Sequence, residues 1–334
     1  MAEKVTVAVD ALGGDAGAPV VLNGVAAALK SDSDIEIILC GPEDVVVPFA
    51  DAHDRCVARV TTEEIAMDEH PAQAVRKKKD SSIVVGCRLV KEGSAQGFFS
   101  AGSTGACLTA ATLVTGRIKG VARPALATII PSPIKPAIMC DVGANADCKP
   151  NYLLQFAQMA SIYAEEILEV KNPRVALLNI GEEETKGSQL ALEAHELLKK
   201  NLSNFVGNAE GRDLLTGSFD VFVTDGFTGN VCLKTLEGAM KVLLSTVKDL
   251  FMSSFKTKMA GLAVKGDISE LKNTISPDAY GGAPLLGVKG ACIVGHGSSN
   301  EEAIKNGILI TAKTVRLDVL GRIEQVVSKS QVSE

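Results

Sequence analysis

Short runs of apolar residues alternate with segments of helical periodicity along almost the whole chain. The runs at 4–9 (KVTVAV), 35–40 (IEIILC), 57–60, 97–100 (GFFS), 126–131, 136–141, 174–179 (RVALLN), 219–224 and 291–295 predict strands. Helices are predicted over 18–30, 42–50, 72–92 with a break near Asp80, 104–116, 151–169, 187–200, 229–255 and 300–318. Such strand–helix alternation calls for right-handed crossovers and a sheet covered on both faces. The expected fold class is therefore α/β: three layers, α/β/α, around a mostly parallel, Rossmann-like sheet. No internal repeat, low-complexity tract or obvious linker interrupts the pattern, so residues 1–334 are expected to form a single domain. The three prolines of PSPIKP (131–136) mark a hairpin or a boundary between lobes. Over 236–264 the apolar positions Leu236, Met240, Leu243, Leu244, Val247, Leu250, Phe251, Phe255, Met259 and Leu262 form a helical stripe. Residues 236–280 are expected to project from the domain as an amphipathic helical segment.

Composition sharpens this picture. Apolar residues make up 46% of the 334, but aromatics only 4% with no Trp, so the core must rest on Val, Ile, Leu and Ala. The eight cysteines show no C-x-x-C pairing, and most sit inside apolar runs. Buried, reduced thiols are the expected state, and they point to the cytoplasm. The formal net charge of −6 argues against a nucleic-acid binder. The N-terminal stretch has no secretory apolar region, and no apolar run reaches the ~20 residues of a membrane span. Contact with a membrane surface remains open.

Candidate chemistry lies where strand predictions end. "SAGSTGA", "DVGANAD", "NIGEEETKG", "VTDGFTGN" and "VGHGSSN" each follow a predicted strand with small, polar, backbone-exposing residues. In a parallel sheet the ligand crevice lies outside the carboxyl ends of the strands. The next helix points its free N–H groups there, which suits an anion and phosphate above all. Ser103 and Thr104 are candidates to hold phosphate. Lys186 is a third, because a cation in the first helical turn opposes the helix dipole. Asn145, Asp225, Asn230 and His296 are candidates to shape the reacting centre; turn and cap chemistry is the competing reading for Asn145 and Asp225. His53, His70 and His195 read as surface residues. In "AVRKKKDSS", Arg76 and Lys77 head a run of four cations, read either as a solvated helix end or as contact for an acidic protein. Across 241–272 six lysines face three acidic residues, a local balance of +3. There Lys248, Lys256 and Lys258, with Phe251 and Phe255, would suit a carrier protein, a lipid surface or a dimer partner. No ligand spacing supports a metal.

Taken together, "VDALGGDAGAP", "AVRKKKDSS", "SAGSTGA", "DVGANADCKP", "NIGEEETKG", "GNAEGRDLL", "DGFTGNVCLKTLEG", "GGAPLLGVKG" and "GHGSSN" resemble the phosphate acyltransferase with which bacteria start phospholipid synthesis. The similarity runs in matching order from about residue 4 to 318. It implies transfer of a fatty acyl group from acyl-[acyl carrier protein] to inorganic phosphate, giving acyl phosphate for a membrane glycerol-3-phosphate acyltransferase. It also implies a cytoplasmic, cofactor-free homodimer with peripheral membrane contact, and a fold similar to phosphate acetyltransferases and isopropylmalate-type dehydrogenases. Alternative expectations in that fold are a phosphate acetyltransferase acting on a coenzyme A thioester and a nicotinamide-dependent dehydrogenase. A membrane scaffold without chemistry is the alternative of another class.

Overall fold

The computed structural model describes residues 4–268 and 276–331. Among these residues, eleven strands form one sheet. Their ranges are β1 (Val5–Asp10), β2 (Ile35–Gly41), β3 (Cys56–Val60), β4 (Gly97–Ser100), β5 (Ala125–Ile130), β6 (Ala137–Cys140), β7 (Val175–Leu178), β8 (Phe205–Ala209), β9 (Val221–Val223), β10 (Ala283–Leu286) and β11 (Ala291–Val294). The spatial order is β3-β2-β1-β4-β11-β10-β5-β6-β9-β7-β8. Seven adjacent pairs are parallel. The three antiparallel pairs, β11–β10, β10–β5 and β5–β6, are all in the middle. They reverse the strand direction. The carboxyl ends of β1, β4 and β11 therefore lie at one edge of the sheet, and those of β6, β7 and β9 at the opposite edge. This corrects the expectation that all five polar loops share one rim.

The flanking helices are α1 (Ala18–Ser31), α2 (Glu43–Asp51), α3 (Pro71–Lys77), α4 (Ser82–Lys91), α5 (Thr104–Ala110), α6 (Pro150–Ile167), α7 (Gln189–Asn201), α8 (Gly226–Met252), α9 (Phe255–Ala263), α10 (Glu301–Arg316) and α11 (Val319–Gln331). The core follows from strand alternation. On one face a single apolar cluster runs through both halves of the sheet, from Phe98 by way of Leu126 and Leu285 to Met139 and Phe222. On the other face the core is divided. Val5, Val7, Val9 and Phe99 pack with Val25 and Ile308 of α1 and α10, whereas Ile129, Ile138 and Val221 pack on α6. α6 is covered by α7 and α11 as well, which is why Phe156, Met159 and Tyr163 are all buried.

α8 and α9 depart from this arrangement. Beyond Leu236, no described residue of α8 or α9 is buried. Phe251 packs over Gly261, closing the α8–α9 hairpin on itself. Leu243, Leu250, Met259 and Leu262 are exposed, and Phe255 is 82% exposed. Of the expected 236–280 segment, residues 269–275, with Lys272, lie outside the described residues.

Candidate active site

A cleft of about 580 Å³ opens on the sheet face whose core is continuous, above the antiparallel middle strands. Its floor is Leu126 and Thr128 of β5 with Ala283 of β10. One wall is the start of α5, with Thr104, Gly105 and Leu108; the β11 loop adds Gly295, His296 and Gly297. The facing wall combines Val142 and Gly143 after β6 with Asn230, Leu233, Lys234 and Glu237 of α8. Asp15, Met67, Asp278 and Tyr280 complete the rim. The carboxyl ends of strands from both halves thus meet across the sheet face, although they sit at opposite edges.

The chemistry of the walls can be read atom by atom. Ser103 caps α5, its Oγ accepting the Ala106 N–H at 3.5 Å. Thr104 and Gly105 are the first helical residues, so their N–H groups have no intrahelical partner. His296 is exposed, and its Nδ1 accepts the Ser298 N–H at 3.2 Å, with the Ser298 hydroxyl 2.8 Å away. An N–H donated to Nδ1 assigns the proton of the neutral ring to Nε2. The imidazole therefore offers a donor. Lys234 brings positive charge to the cleft and shares it with Glu237 at 2.8 Å. Leu108, Leu126, Val142 and Leu233 make the interior apolar.

Asp141 builds the β6 loop. Its carboxylate is fully buried. Oδ1 accepts the N–H groups of Leu126, Gly143 and Ala144, and Oδ2 accepts the N–H and the side-chain amide of Asn145. Burial raises its pKa above the ordinary value, and these donors offset part of that rise. Gly229 explains how α8 reaches this loop. A Cβ there would stand 1.9 Å from the Asp141 carbonyl oxygen, so only glycine permits the contact.

The predicted residues divide accordingly. Thr104, Asn230 and His296 line the cleft, and Ser103 lies beside Thr104 as its cap. Asn145 instead braces the wall, donating to Asp141 and to the Pro124 carbonyl at 2.8 Å. Asp225 is the N-cap of α8, accepting from the N–H and hydroxyl of Thr228 at 2.8 Å each, and does not line the cleft. Lys186 is also elsewhere. It is exposed in the turn after β7, near the far edge of the sheet, and α7 begins only at Gln189, so it is not in a first helical turn. His195 corrects another expectation: it is buried, with Nδ1 2.9 Å from Asn208 Oδ1. Arg76 and Lys77 are exposed, whereas Lys78 is tied to Glu69 at 2.6 Å. Lys248, Lys256 and Lys258 are exposed along α8 and α9. Met67 and Tyr280 carried no signal in the sequence; Tyr280 precedes the Gly-Gly pair of a recognised motif, and Met67 sits in an ordinary loop. Among the described residues no His, Cys, Asp and Glu group is arranged to hold a metal ion.

Comparison with known proteins bears on this cleft directly. The family model described as "Fatty acid synthesis protein" matches residues 5–322. A phosphate acyltransferase of Clostridium perfringens is 45% identical over 328 residues, 97% of each chain. Another, from Desulfitobacterium hafniense, is 47% identical over 323 residues, 96% of each. The chain belongs to the phosphate acyltransferase family. It is thus an acyltransferase. Among solved structures, a phosphotransacetylase of Streptococcus pyogenes aligns with a TM-score of 0.60 at 17% identity, covering 93% of this chain and 94% of that one. A branched-chain phosphotransacylase of Enterococcus faecalis gives 0.61 at 15%, covering 93% and 99%. At such identity these show a shared fold. The expected α/β class with a mostly parallel sheet is the one observed.

Proposed function

We propose that this acyltransferase moves a fatty acyl group from acyl-[acyl carrier protein] to inorganic phosphate, and that the acyl phosphate serves phospholipid synthesis. The observation that carries this reading is the union, in one cleft, of the α5 start, the His296 Nε2 donor and the apolar lining from Leu108 to Leu233. Phosphate is already an anion near neutral pH and needs position rather than activation. Ser103, Thr104 and the first amides of α5 hold it, and the thioester lies along the apolar interior. A phosphate oxygen attacks the thioester carbonyl, and N–H donors at the cleft wall stabilise the oxyanion. The carbon–sulfur bond then breaks. The Nε2–H of His296 donates a hydrogen bond to the departing thiolate, and the hydroxyl proton of the attacking phosphate passes to that sulfur. The products balance as acyl phosphate and free carrier thiol, without an acyl-enzyme.

Asn230 and Lys234 sit where the phosphate or the carbonyl oxygen would be oriented, whereas Asn145 and Asp225 shape the centre by bracing the Asp141 loop and the start of α8. Lys186 remains a proposed phosphate contact only if its turn serves a site beyond this cleft. The exposed apolar face of α8 and α9, edged by Lys248, Lys256 and Lys258, supports a homodimer and peripheral membrane contact near the glycerol-3-phosphate acyltransferase that uses the product. Arg76 and Lys77 suit the acidic carrier protein. A cytoplasmic location fits this substrate, and among the described residues no helix is long and apolar enough to cross a membrane.

The test is to incubate purified protein with acyl-carrier-protein and phosphate and to follow carrier thiol. Thiol release that requires phosphate is expected. Release without phosphate, or equal turnover of acetyl-coenzyme A, would overturn the reading.

A further inference from the structure

The cleft's phosphate-side wall is held from behind by a group that takes no direct part in it. Asp10, the last residue of β1, is 2% exposed, and Ser100, the last residue of β4, is fully buried. The two strands are parallel neighbours, so their carboxyl ends lie side by side. The Ser100 hydroxyl donates to Asp10 Oδ2 at 2.7 Å, and Ser100 Oγ itself accepts the Gly102 N–H at 2.9 Å. Asp10 Oδ1 accepts the Leu12 N–H at 3.1 Å. One carboxylate thus orders the first residues of two loops at once. Those loops touch: a Cβ on Gly13 would stand 2.7 Å from the Gly102 nitrogen, so backbone lies directly on backbone. The β1 loop in turn joins the β11 loop, with the Asp15 N–H donating to the Gly297 carbonyl at 2.7 Å.

From this chain of contacts we infer that Asp10, acting through Ser100, is a positioning residue for the oxyanion wall formed by residues 103–105. Neither residue lines the cleft. Gly102 is the hinge between the buried Ser100 and the cap Ser103, and fixing its N–H fixes where α5 begins. With its hydrogen committed to the carboxylate, the serine oxygen is held with a lone pair toward Gly102. Without Asp10 the hydroxyl can turn, and without Ser100 the Gly102 N–H loses its acceptor. A buried charge-assisted bond of this kind is costly to break. Its loss should be felt at the phosphate more than at the acyl chain, because Leu126 of β5 and Leu233 of α8 are anchored in the core independently of α5. The inference rests on the proposed reaction for its ligand, though not for its geometry.

The experiment uses the full chain and the variants Ser100→Ala, Asp10→Asn and their combination. For Ser100→Ala the KM for phosphate should rise about tenfold, the loss of one hydrogen bond linked to a charged group. The KM for the acyl-carrier-protein thioester should stay within about twofold, since a uniform loss of packing would move both. If the two residues act through one bond, the double variant should be no worse than the more affected single variant. A parallel rise in both KM values, or fully additive effects, would overturn the proposal. Amide hydrogen exchange at Ala106 and Cys107, whose N–H groups are bonded to Ser103, provides a readout free of turnover. Faster exchange in Ser100→Ala than in the parent supports the positioning role; unchanged exchange overturns it. Should the parent release no carrier thiol on adding phosphate, the proposed reaction fails, and the exchange result alone then decides the role of Asp10.

Discussion

Replacing Asp141 with asparagine leaves the side chain its size but sets an NH2 group against donors that now meet an acceptor. The Asn145 N–H and the Asn145 amide, or the three N–H groups on the other oxygen, would lose their partner. A cost of roughly 3 kcal/mol is expected, from the 1–3 kcal/mol of each unsatisfied buried group, read as a lower midpoint in urea unfolding. His296→Ala should lower turnover about 100-fold, the scale of one lost transition-state donor, while leaving thermal stability near that of the parent because the ring is exposed. The sequence told which residue types gather at strand ends, but not which of them face the cleft. Asn145 and Asn230 look alike as asparagines in glycine-rich loops. One points into its own loop and one onto the cleft, and the difference lies in the Asp141 carboxylate, whose partners are set by tertiary contact. The glycines were likewise legible as a class; that Gly229 serves a helix-to-strand contact rather than a ligand was not.

Among the elements, α8 shows what capping adds. Asp225 accepts two hydrogen bonds from Thr228. Asp225→Ala should cost about 1 kcal/mol of stability, measured by thermal unfolding, and should reduce turnover only through the set of Asn230. The prediction of a helix from 229 began late because Gly226 and Gly229 read as turn; the cap and the tight approach to β6 override that propensity. β8 and β10 were not legible at all. β10 is four residues beginning Ala-Pro, and β8, Phe205–Ala209, includes a glycine and an asparagine. Neither has the apolar run that marked the other strands, and pairing with neighbours supplies what composition does not. The α8–α9 hairpin was legible as amphipathic, and its exposed Phe255 yields a sharp expectation. Phe255→Glu should weaken binding to anionic vesicles in a sedimentation assay while leaving the proposed phosphate-dependent thiol release in the absence of vesicles intact; unchanged vesicle binding would remove this face from the proposed membrane contact.

At the scale of the whole molecule, Asp220 links the entries of three strands. It accepts from Arg174 and from Lys135, each within 2.9 Å, just before β9, β7 and β6. Burial pushes its carboxyl up, but the hydrogen bonds from Arg174 and Lys135 prevail and hold it at about 2, below the ordinary 3.8. A depressed folded value contributes stability that is present above 3.8 and is lost as pH falls through about 2. The contribution is on the order of 2 kcal/mol and should vanish from the acid limb of unfolding in Asp220→Asn. Asp10 and Asp141 act with the opposite sign: burial raises both, so their ionisation opposes folding as pH rises through their folded values. The fold class was open to inference because the strand–helix rhythm is local. The reversal of direction was hidden because it depends on which distant strands become neighbours.

That reversal bears on how the chain is made. β10 and β11 come late in the chain, yet they stand between β4 and β5. A nascent chain on the ribosome that has reached only residue 280 holds two half-sheets, each with an unpaired inner edge. Neither β4 nor the free side of β5 has its neighbour until the hairpin emerges, so synthesis passes through a state open to strand addition from other chains. The β10–β11 hairpin is the keystone, and the two halves of the cleft acquire a common frame only when it is set.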